Sequence, residues 1–300
     1  MKILISDPIA KEGVEVLKSS GFEVLERPDI SHEELVNEIA DYDAIIVRSR
    51  TKVRKDVLDN AKNLKVIGRA GIGLDNIDVD VAREKGIKVL NTPGATSISV
   101  AELALGLMFA LARHIPQASA STTQRKWEKK RFKGNELFGK TLGIIGVGRI
   151  GTEVAKRAKA LGMKILGYDP YVKGSEYAEL AGLDRVLAES DIITLHLPKT
   201  EETTHMIGKT EFEKMKDGVW LVNCARGGIV DEAALYEALK SGKVERAAID
   251  VFEKEPPEGT NLFEFDTVIA TPHIGAQAAE GQKRAGIEIA EKVRDALKGV

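Results

Sequence analysis

The chain has 300 residues, a length that suits about two domains better than one core. Its 44 Lys and Arg residues nearly balance 46 Asp and Glu residues, and the net charge of -2 argues against a general nucleic-acid or anionic-membrane binder. The single Cys224 excludes an internal disulfide framework, and no apolar run approaches the roughly 18 residues of a spanning helix. The first residues, MKILISD, enter a strand-like pattern without a secretory signal, so we expect a cytoplasmic protein.

Apolar runs rich in β-formers alternate with helical patterns along the chain. A first series, typical of strands, reads KILIS, FEVLE, DAIIVRS, KVIGRA and KVLN. A second series begins near Thr141 and reads TLGIIG, MKILGYD, RVL, DIITLHL, VWLVNC, AAIDVF and TVIATPH. This alternation predicts βαβ units, and therefore an α/β chain of two doubly wound, parallel-sheet, Rossmann-like domains.

Two helical patterns have special positions. Residues 99–115, SVAELALGLMFALARHI, form the longest apolar pattern, which we interpret as a buried helix that joins the domains or packs against a partner subunit. The last helical pattern, about 277–297, has no strand after it.

A glycine-rich motif lies between the strand TLGII and the helical pattern IGTEVAKRAKAL. It reads Gly146-Val147-Gly148-Arg149-Ile150-Gly151. In such a motif Gly146 permits a tight turn, Gly148 lets the backbone approach a pyrophosphate, and Gly151 lets the helix pack closely on the strand. The helix N-terminus then offers free N–H groups to the phosphates, which predicts a dinucleotide site.

An acidic residue follows the next strand at the spacing that this motif requires. Asp169 ends KILGYD, 18 residues after Gly151. A carboxylate there would bind the ribose hydroxyls and repel a 2′-phosphate, and no Arg follows Pro170 and Tyr171 to accept one. We therefore expect NAD rather than NADP.

Chemically versatile residues follow the strands of the second series. In open α/β sheets ligands bind beyond the carboxyl ends of the strands, so these residues should converge. An arginine can bind a carboxylate through two hydrogen bonds, an imidazole can exchange a hydroxyl proton, and a carboxylate can orient that imidazole and favour its charged form. The residues at these strand ends are His196, Cys224, Ala225, Arg226, Asp250, Glu255 and His273.

The residues alone do not choose among Glu253, Glu255 and Glu258 as the carboxylate partner of the imidazole. No HExxH or EF-hand pattern occurs in the sequence, so we expect no metal site. The set suits hydride transfer between a nicotinamide and a 2-hydroxy acid.

The chain resembles the D-isomer-specific 2-hydroxyacid dehydrogenases over essentially its whole length. The segments that carry the resemblance are VRSRTKV (47–53), VIGRAGIGLDNID (66–78), NTPGATSISVAELALGLM (91–108), GKTLGIIGVGRIG (139–151), NCARGGIVDEAAL (223–235), AIDVFEKEPP (248–257) and TPHIGA (271–276).

The resemblance implies a role for each matching residue. The family's catalytic triad falls on Arg226, Glu255 and His273. Cofactor contacts are implied at Gly148, Arg149, Ile150, Asp169, His196, Pro198, Thr203, Ala225, Asp250 and Gly275, and substrate contacts at Arg48, Ser49, Arg69, Gly71, Ile72 and Gly73.

The resemblance also implies a domain arrangement. Residues 1–95 and 277–300 would form a discontinuous substrate-binding domain, and residues 96–276 an NAD-binding Rossmann domain, with the active site in the cleft between them. A homodimer built partly through the 99–115 helix is implied as well. The chain ends just after its last helical pattern, so we expect none of the serine-sensing domains of longer family members, and no inhibition by serine.

Two arginines favour a phosphorylated substrate. Arg48 and Arg69 lie near the ends of predicted strands, and a phosphate would explain two cations there. The resemblance then implies NAD-dependent oxidation of D-3-phosphoglycerate to 3-phosphohydroxypyruvate, the first step of serine biosynthesis. The alternatives are a glyoxylate or hydroxypyruvate reductase of the same family, and a non-catalytic NAD-sensing protein.

Overall fold

The computed structural model describes residues 1–299, which form two compact units. Unit 1 comprises Met1–Ser97 and the described residues from Ala276 onward, and unit 2 comprises Ile98–Gly275. The strands of unit 1 are β1 (Lys2–Ile5), β2 (Glu23–Glu26), β3 (Ala44–Val47), β4 (Val66–Arg69) and β5 (Lys88–Asn91). The strands of unit 2 are β6 (Thr141–Ile145), β7 (Lys164–Tyr168), β8 (Glu179–Leu180), β9 (Ile192–Leu195), β10 (Val219–Asn223), β11 (Val244–Ile249) and β12 (Val268–Ala270).

The sheet of unit 1 is parallel throughout, in the order β2-β1-β3-β4-β5. Every residue of β3 is buried, which explains its uninterrupted apolar sequence AIIV: helices cover both faces of such a sheet. The strand order reverses between β1 and β3, so the ends of these two strands flank the position where open α/β sheets bind ligands.

The sheet of unit 2 is also parallel, in the order β12-β11-β10-β9-β6-β7-β8. Its order reverses between β6 and β9, and the glycine motif directly follows β6. The two parallel sheets confirm the predicted fold class of two doubly wound α/β domains.

Helices and short 3₁₀ segments connect the strands. The α-helices are α1 (Lys11–Ser19), α2 (His32–Glu38), α3 (Lys55–Asn60), α4 (Val79–Glu84), α5 (Ser97–Arg113), α6 (Ile115–Thr123), α7 (Arg149–Ala160), α8 (Leu183–Glu189), α9 (Lys209–Lys214), α10 (Glu232–Ser241) and α11 (Ala279–Lys298). The 3₁₀ segments are Ile39–Asp41, Lys129–Phe132 and Asn261–Glu264.

Two predicted elements differ from the structure. The run RVL, predicted as a strand, lies inside helix α8, where Val186 and Leu187 are buried; three apolar residues are too few to distinguish a strand from a buried helical turn. The predicted 99–115 helix ends at Arg113, because His114 takes the left-handed conformation (φ 53°) and a new helix starts beyond it with Pro116 in its first turn.

The last helix, α11, packs in unit 1 against α1. Their backbones touch where a Cβ on Gly13 would lie 2.4 Å from the carbonyl oxygen of Gly286, so the crossing requires glycine. The buried face of α11 includes Ile289 and Val293. Among residues 1–299 no single helix is long and apolar enough to cross a membrane. Helices α5 and α6 together have the length and composition of a membrane span, but they are bent by 64° where they meet.

Candidate active site

The glycine motif forms a tight loop between β6 and α7. Gly146 has φ 94°, and a Cβ there would lie 2.5 Å from the carbonyl oxygen of His196, which follows β9. A Cβ on Gly151 would lie 2.0 Å from the carbonyl oxygen of Gly146. Neither position has room for a side chain. The two glycines therefore let the loop pack directly against the strand ends where the strand order reverses.

The N-terminus of α7 is open to a ligand. Gly148 is its N-cap without a side-chain capping bond, and a Cβ on Gly148 would meet no atom within 4 Å. Free N–H groups and the positive end of a 12-residue helix therefore face unfilled space beside Arg149 and Ile150. This arrangement fits the pyrophosphate of a dinucleotide.

Asp169 follows β7 and is tied to the glycine loop. One carboxylate oxygen accepts a hydrogen bond from the Val147 N–H at 2.9 Å, and the other accepts one from the Tyr171 N–H at 2.9 Å. Each oxygen keeps further acceptor capacity, so the carboxylate is held ready for ribose hydroxyls. These residues and the glycine loop fit NAD.

His196 has one enclosed ring nitrogen. Its Nε2 lies 3.0 Å from the Thr194 hydroxyl, whereas its buried Nδ1 has no hydrogen-bond partner among the described residues. Desolvation lowers the pKa of His196 to about 3, so the ring is neutral at physiological pH. A buried nitrogen without a partner is rare and marks a place where a bound molecule could supply one.

The Thr203 hydroxyl is engaged within its own loop. It donates to the carbonyl oxygen of Pro198 at 2.7 Å and accepts from the Thr200 N–H at 2.7 Å. Pro198 and Thr203, both predicted cofactor contacts, thus share one loop beyond β9.

Asp250 directly follows β11 and is only 1% exposed. One of its carboxylate oxygens accepts from the Thr271 hydroxyl at 2.6 Å and from the Ile274 N–H at 2.8 Å, and the other accepts from the Gly275 N–H at 2.9 Å. Its backbone carbonyl accepts from the His273 N–H at 2.9 Å. The carboxylate predicted as a cofactor contact therefore also holds the loop 271–275.

His273 and Glu255 form a direct pair. Nδ1 of His273 lies 2.9 Å from Oε2 of Glu255, while Oε1 of Glu255 accepts from the Phe252 N–H at 3.2 Å. The pair fixes the ring and leaves Nε2 as the nitrogen that can exchange a proton with a bound molecule.

The other two candidate glutamates have different partners. Glu253 accepts from the Glu232 N–H at 3.0 Å and contacts His205 at 3.1 Å, and Glu258 pairs with Lys254 at 3.3 Å. The geometry thus brings Glu255, of the three, to His273.

The loop that carries Arg226 packs closely against the segment that carries Glu255. Arg226 follows β10, and its Nη1 donates to the carbonyl oxygen of Ala225 at 2.7 Å. A Cβ on Gly227 would lie 1.7 Å from the carbonyl oxygen of Phe252, so the Arg226 loop lies directly against the segment that holds Glu255. Arg226, Glu255 and His273 thus stand on three interlocked loops beyond β10, β11 and β12.

An apolar cavity of about 380 Å³ adjoins the His–Glu pair. The pair forms part of its wall, and the remaining lining residues are Phe252, Pro256, Pro257, Phe263, Ala270, Thr271 and Pro272. Both side chains of the pair are partly exposed, 48% for His273 and 39% for Glu255, so water also reaches the pair.

The predicted substrate residues all lie in unit 1. Arg48 follows β3, and Arg69 ends the neighbouring β4. Arg48 is partly buried, with its Nη1 3.5 Å from the Gln282 side-chain oxygen, and desolvation lowers its pKa from the usual value while Asp7 counteracts this. Ser49 is exposed.

The guanidinium of Arg69 lies over Gly71. A Cβ on Gly71 (φ 154°) would lie 1.5 Å from Nη1 of Arg69, so only glycine permits this placement. The next residue, Ile72, is held by its carbonyl oxygen, which accepts from the Asn91 side chain at 2.7 Å, and Gly73 follows it.

Residues 1–299 contain no group of three or more His, Cys, Asp or Glu side chains placed to hold a metal ion. Cys224 is buried, and its burial followed by the charge of Asp250 raises the pKa of the thiol far above its usual value, so the sulfur is unreactive.

Comparison with known proteins identifies the family. Residues 105–275 match the description D-isomer specific 2-hydroxyacid dehydrogenase, NAD binding domain. The chain belongs to the D-isomer-specific 2-hydroxyacid dehydrogenases. It is 54% identical over 306 residues to the D-3-phosphoglycerate dehydrogenase of Archaeoglobus fulgidus, with 100% of this chain and 58% of that relative covered.

Two other members of the family are similar over nearly their whole length. The hydroxypyruvate reductase of Thermotoga maritima is 53% identical over 296 residues, with 97% of each chain covered. A crystal structure of D-lactate dehydrogenase from Aquifex aeolicus, complexed with NAD and lactic acid, has a TM-score of 0.85 and 32% identity, and the match covers 100% of this chain and 96% of that one. The chain thus spans little more than half of the Archaeoglobus relative and almost all of the other two.

Two residues that organise the predicted substrate loop were not predicted from the sequence. Asp7 and Asn76 hold the backbone of residues 48–51 through hydrogen bonds. The signal for Asp7 was present, because it is a carboxylate placed just after the first strand, at the edge where a parallel sheet binds ligands. The role of Asn76 depends on a contact that sequence spacing does not reveal.

Proposed function

We propose that the protein oxidises D-3-phosphoglycerate to 3-phosphohydroxypyruvate with NAD, as the first step of serine biosynthesis. The observation that carries the proposal is the His273–Glu255 pair at 2.9 Å, on loops interlocked with that of Arg226, in a chain of this family. The name of the Archaeoglobus relative supports the choice of substrate. In this proposal unit 1 binds the substrate and unit 2 binds NAD.

Each of the three residues has a defined task. Arg226 binds the substrate carboxylate through parallel hydrogen bonds and orients C2. Nε2 of His273 takes the hydroxyl proton during oxidation and returns it during reduction. Glu255 holds Nδ1 and stabilises the positive charge that the imidazole gains. NAD, when bound, accepts the hydride from C2.

The acid–base role of His273 has a direct test. The His273→Ala variant should lose kcat by about 10²- to 10⁴-fold, because a positioned general base contributes that much. Steady-state NADH formation measures the loss, and circular dichroism checks the fold. An unchanged kcat would remove His273 from the mechanism.

Arg48 and Arg69 support a phosphorylated substrate. They follow neighbouring strands that pair in parallel, with Val47 opposite Arg69, so both lie at the same edge of the unit 1 sheet. Two guanidinium groups suit a dianionic phosphate better than the uncharged end of glycerate or hydroxypyruvate.

The decisive experiment measures NADH production from D-3-phosphoglycerate, with NADP as the alternative cofactor and with hydroxypyruvate and glyoxylate tested in the reverse direction. Turnover that prefers NAD and the phosphorylated acid supports the proposal. Activity with the unphosphorylated acids alone would leave the triad intact and overturn the substrate.

One observation favours a second candidate, a hydroxypyruvate reductase. The Thermotoga relative with that name is 53% identical to this chain, almost the same as the 54% of the Archaeoglobus relative. The same triad would serve both reactions. NAD binding without turnover of any of these acids would favour the remaining alternative, a non-catalytic NAD-sensing protein.

We also propose a cytoplasmic homodimer. Large apolar side chains are exposed on α5 and at the start of α6, namely Ile98, Phe109 and Ile115, and Trp127 is 85% exposed. Such exposure is typical of a surface that a second subunit covers. Light scattering during gel filtration would distinguish a dimer from a monomer of 32.6 kDa.

A further inference from the structure

The loop formed by residues 48–51 is held by two side chains that are distant in sequence. It follows β3 and carries Arg48 and Ser49. The loop lies where the strand order of unit 1 reverses, between the ends of β1 and β3. Asp7, which follows β1, binds N–H groups of the loop, and Asn76 binds carbonyl groups of the same loop.

Asp7 accepts hydrogen bonds from the N–H and O–H groups of the loop. Its Oδ2 accepts from the N–H groups of Arg48 at 2.6 Å and Thr51 at 3.1 Å. Its Oδ1 accepts from the Thr51 hydroxyl at 2.9 Å and from Nε of Arg50 at 3.0 Å. Burial would raise the pKa of Asp7, which is 2% exposed, but these hydrogen bonds bring it below the usual value, so the carboxylate stays charged at neutral pH.

Asn76 supplies the matching donors. Its Nδ2 group donates to the carbonyl oxygen of Arg48 at 2.9 Å and to that of Thr51 at 2.6 Å. Residues 48 and 51 are therefore held at both their N–H and their C=O groups. A side-chain amide can make both donations at once, whereas an ionised carboxylate of the same shape can make neither.

We infer that Asp7 and Asn76 are positioning residues that hold loop 48–51 in the shape in which Arg48 and Ser49 bind the phosphoryl group of the substrate. This inference rests on the proposed function. Neither side chain needs to touch the substrate. Because the loop is ordered before binding, the substrate loses less affinity to the cost of ordering it.

The test compares two substrates that differ only in the phosphoryl group, 3-phosphohydroxypyruvate and hydroxypyruvate. Asn76→Asp keeps the shape of the side chain and removes both donors. It should raise KM for the phosphorylated acid by about 10-fold or more, because small misplacements of a binding group are costly. The kcat and the KM for hydroxypyruvate should change by less than about 3-fold, since binding to the rest of the substrate is unaffected.

Asn63→Asp is the matched control. Asn63 also donates to a backbone carbonyl in unit 1, that of Ala40 at 2.8 Å, but it does not contact loop 48–51. Its variant should leave both KM values unchanged even if it lowers the melting temperature. A KM for 3-phosphohydroxypyruvate in Asn76→Asp that equals the control value would overturn the inference.

Two further variants complete the test. If Asn76→Asp does not fold, Asp7→Asn applies the same criterion, because its amide offers one acceptor oxygen where the loop uses two. Arg48→Ala tests the proposed function separately, since it should reduce the preference for the phosphorylated acid by about 10-fold or more even with Arg69 in place. Loss of preference in Arg48→Ala with unchanged KM values in both positioning variants would refute only the present inference; no loss in Arg48→Ala would refute the phosphate site itself.

Discussion

Asp250→Asn would show whether the buried carboxylate after β11 serves mainly the loop 271–275 or mainly the cofactor. The amide has the same size, but one of its two terminal atoms becomes a donor. The better orientation keeps an oxygen facing Thr271 and Ile274, which provide two donors, and turns NH₂ toward the Gly275 N–H at 2.9 Å. Two donors then face each other in a buried place.

The structure sets the size of the expected effect. One hydrogen bond is lost and a buried donor is left without a partner, which costs about 1–3 kcal/mol. A loss of that size lowers the melting temperature of a protein this large by roughly 2–5 °C. Because the same loop holds His273 in a left-handed conformation (φ 53°), a displaced loop should also lower kcat by about 10-fold or more.

Asp231→Asn is the control for this substitution. Asp231 caps α10 with a single oxygen, which accepts from the N–H groups of Ala233 and Ala234. An asparagine can present its oxygen there without a clash, and it caps helices about as well as aspartate. Calorimetry and steady-state kinetics on both variants measure the difference. A raised KM for NAD in Asp250→Asn, with melting temperature and kcat equal to those of the control, would refute the loop-holding role.

Three further predictions concern the cofactor site. Gly148→Ala should keep the melting temperature, since its Cβ meets no atom within 4 Å, yet weaken NAD binding in calorimetric titration, whereas Gly151→Ala should destabilise the fold through its 2.0 Å approach to the Gly146 carbonyl oxygen. Asp169→Ala should weaken NAD binding by about 10-fold, through loss of charge-assisted hydrogen bonds, and reduce the preference over NADP. The pKa of His196 is lowered to about 3 in the folded state, so this residue makes the fold sensitive to acid. Its contribution to the free energy of unfolding is complete above about pH 6.5 and declines as the pH falls toward 3, because the unfolded chain binds the proton more readily. Urea denaturation should therefore show a smaller loss between pH 6.5 and 4 for His196→Asn than for the unmodified chain.

Each of these predictions has a contrary outcome. Equal melting temperatures for the two glycine variants would mean that the motif adapts to a side chain. Unchanged selectivity in Asp169→Ala would remove its carboxylate from ribose recognition. Parallel pH profiles for the His196 variant and the unmodified chain would show that the ring is already hydrated when folded.

The strand pattern was predictable because parallel strands buried on both faces leave a simple signature. Runs such as AIIV in β3 and VWLV in β10 are entirely buried, and their spacing reflects the helices between them. The secondary-structure elements that were predicted wrongly have short or interrupted hydrophobic patterns. RVL is helical, and the apolar pattern 99–115 divides at His114, whose left-handed backbone is not encoded by hydrophobicity.

The site was predictable to the extent that strand ends identify it. Residues after parallel strands gather at one edge, so the sequence predicted that His273 would approach a glutamate of the segment 253–258. Choosing Glu255 over Glu253 and Glu258 from the residues alone was not possible, because all three lie in one short polar segment. The choice depends on side-chain directions, and in the structure Glu253 is engaged by the first turn of α10.

Both units hold a loop at the carboxyl ends of their strands with a buried carboxylate. In each, a buried carboxylate stands just after one strand and accepts hydrogen bonds from the loop after the neighbouring strand: Asp7 after β1 holds the loop after β3, and Asp250 after β11 holds the loop after β12. A loop at the ligand-binding edge of a parallel sheet loses its ladder partners where the strand ends, so its N–H groups need new acceptors. A carboxylate supplies several at once and needs little space beyond the strand ends. Replacing either carboxylate should therefore disturb the groups that the loop presents before it disturbs the sheet beneath them.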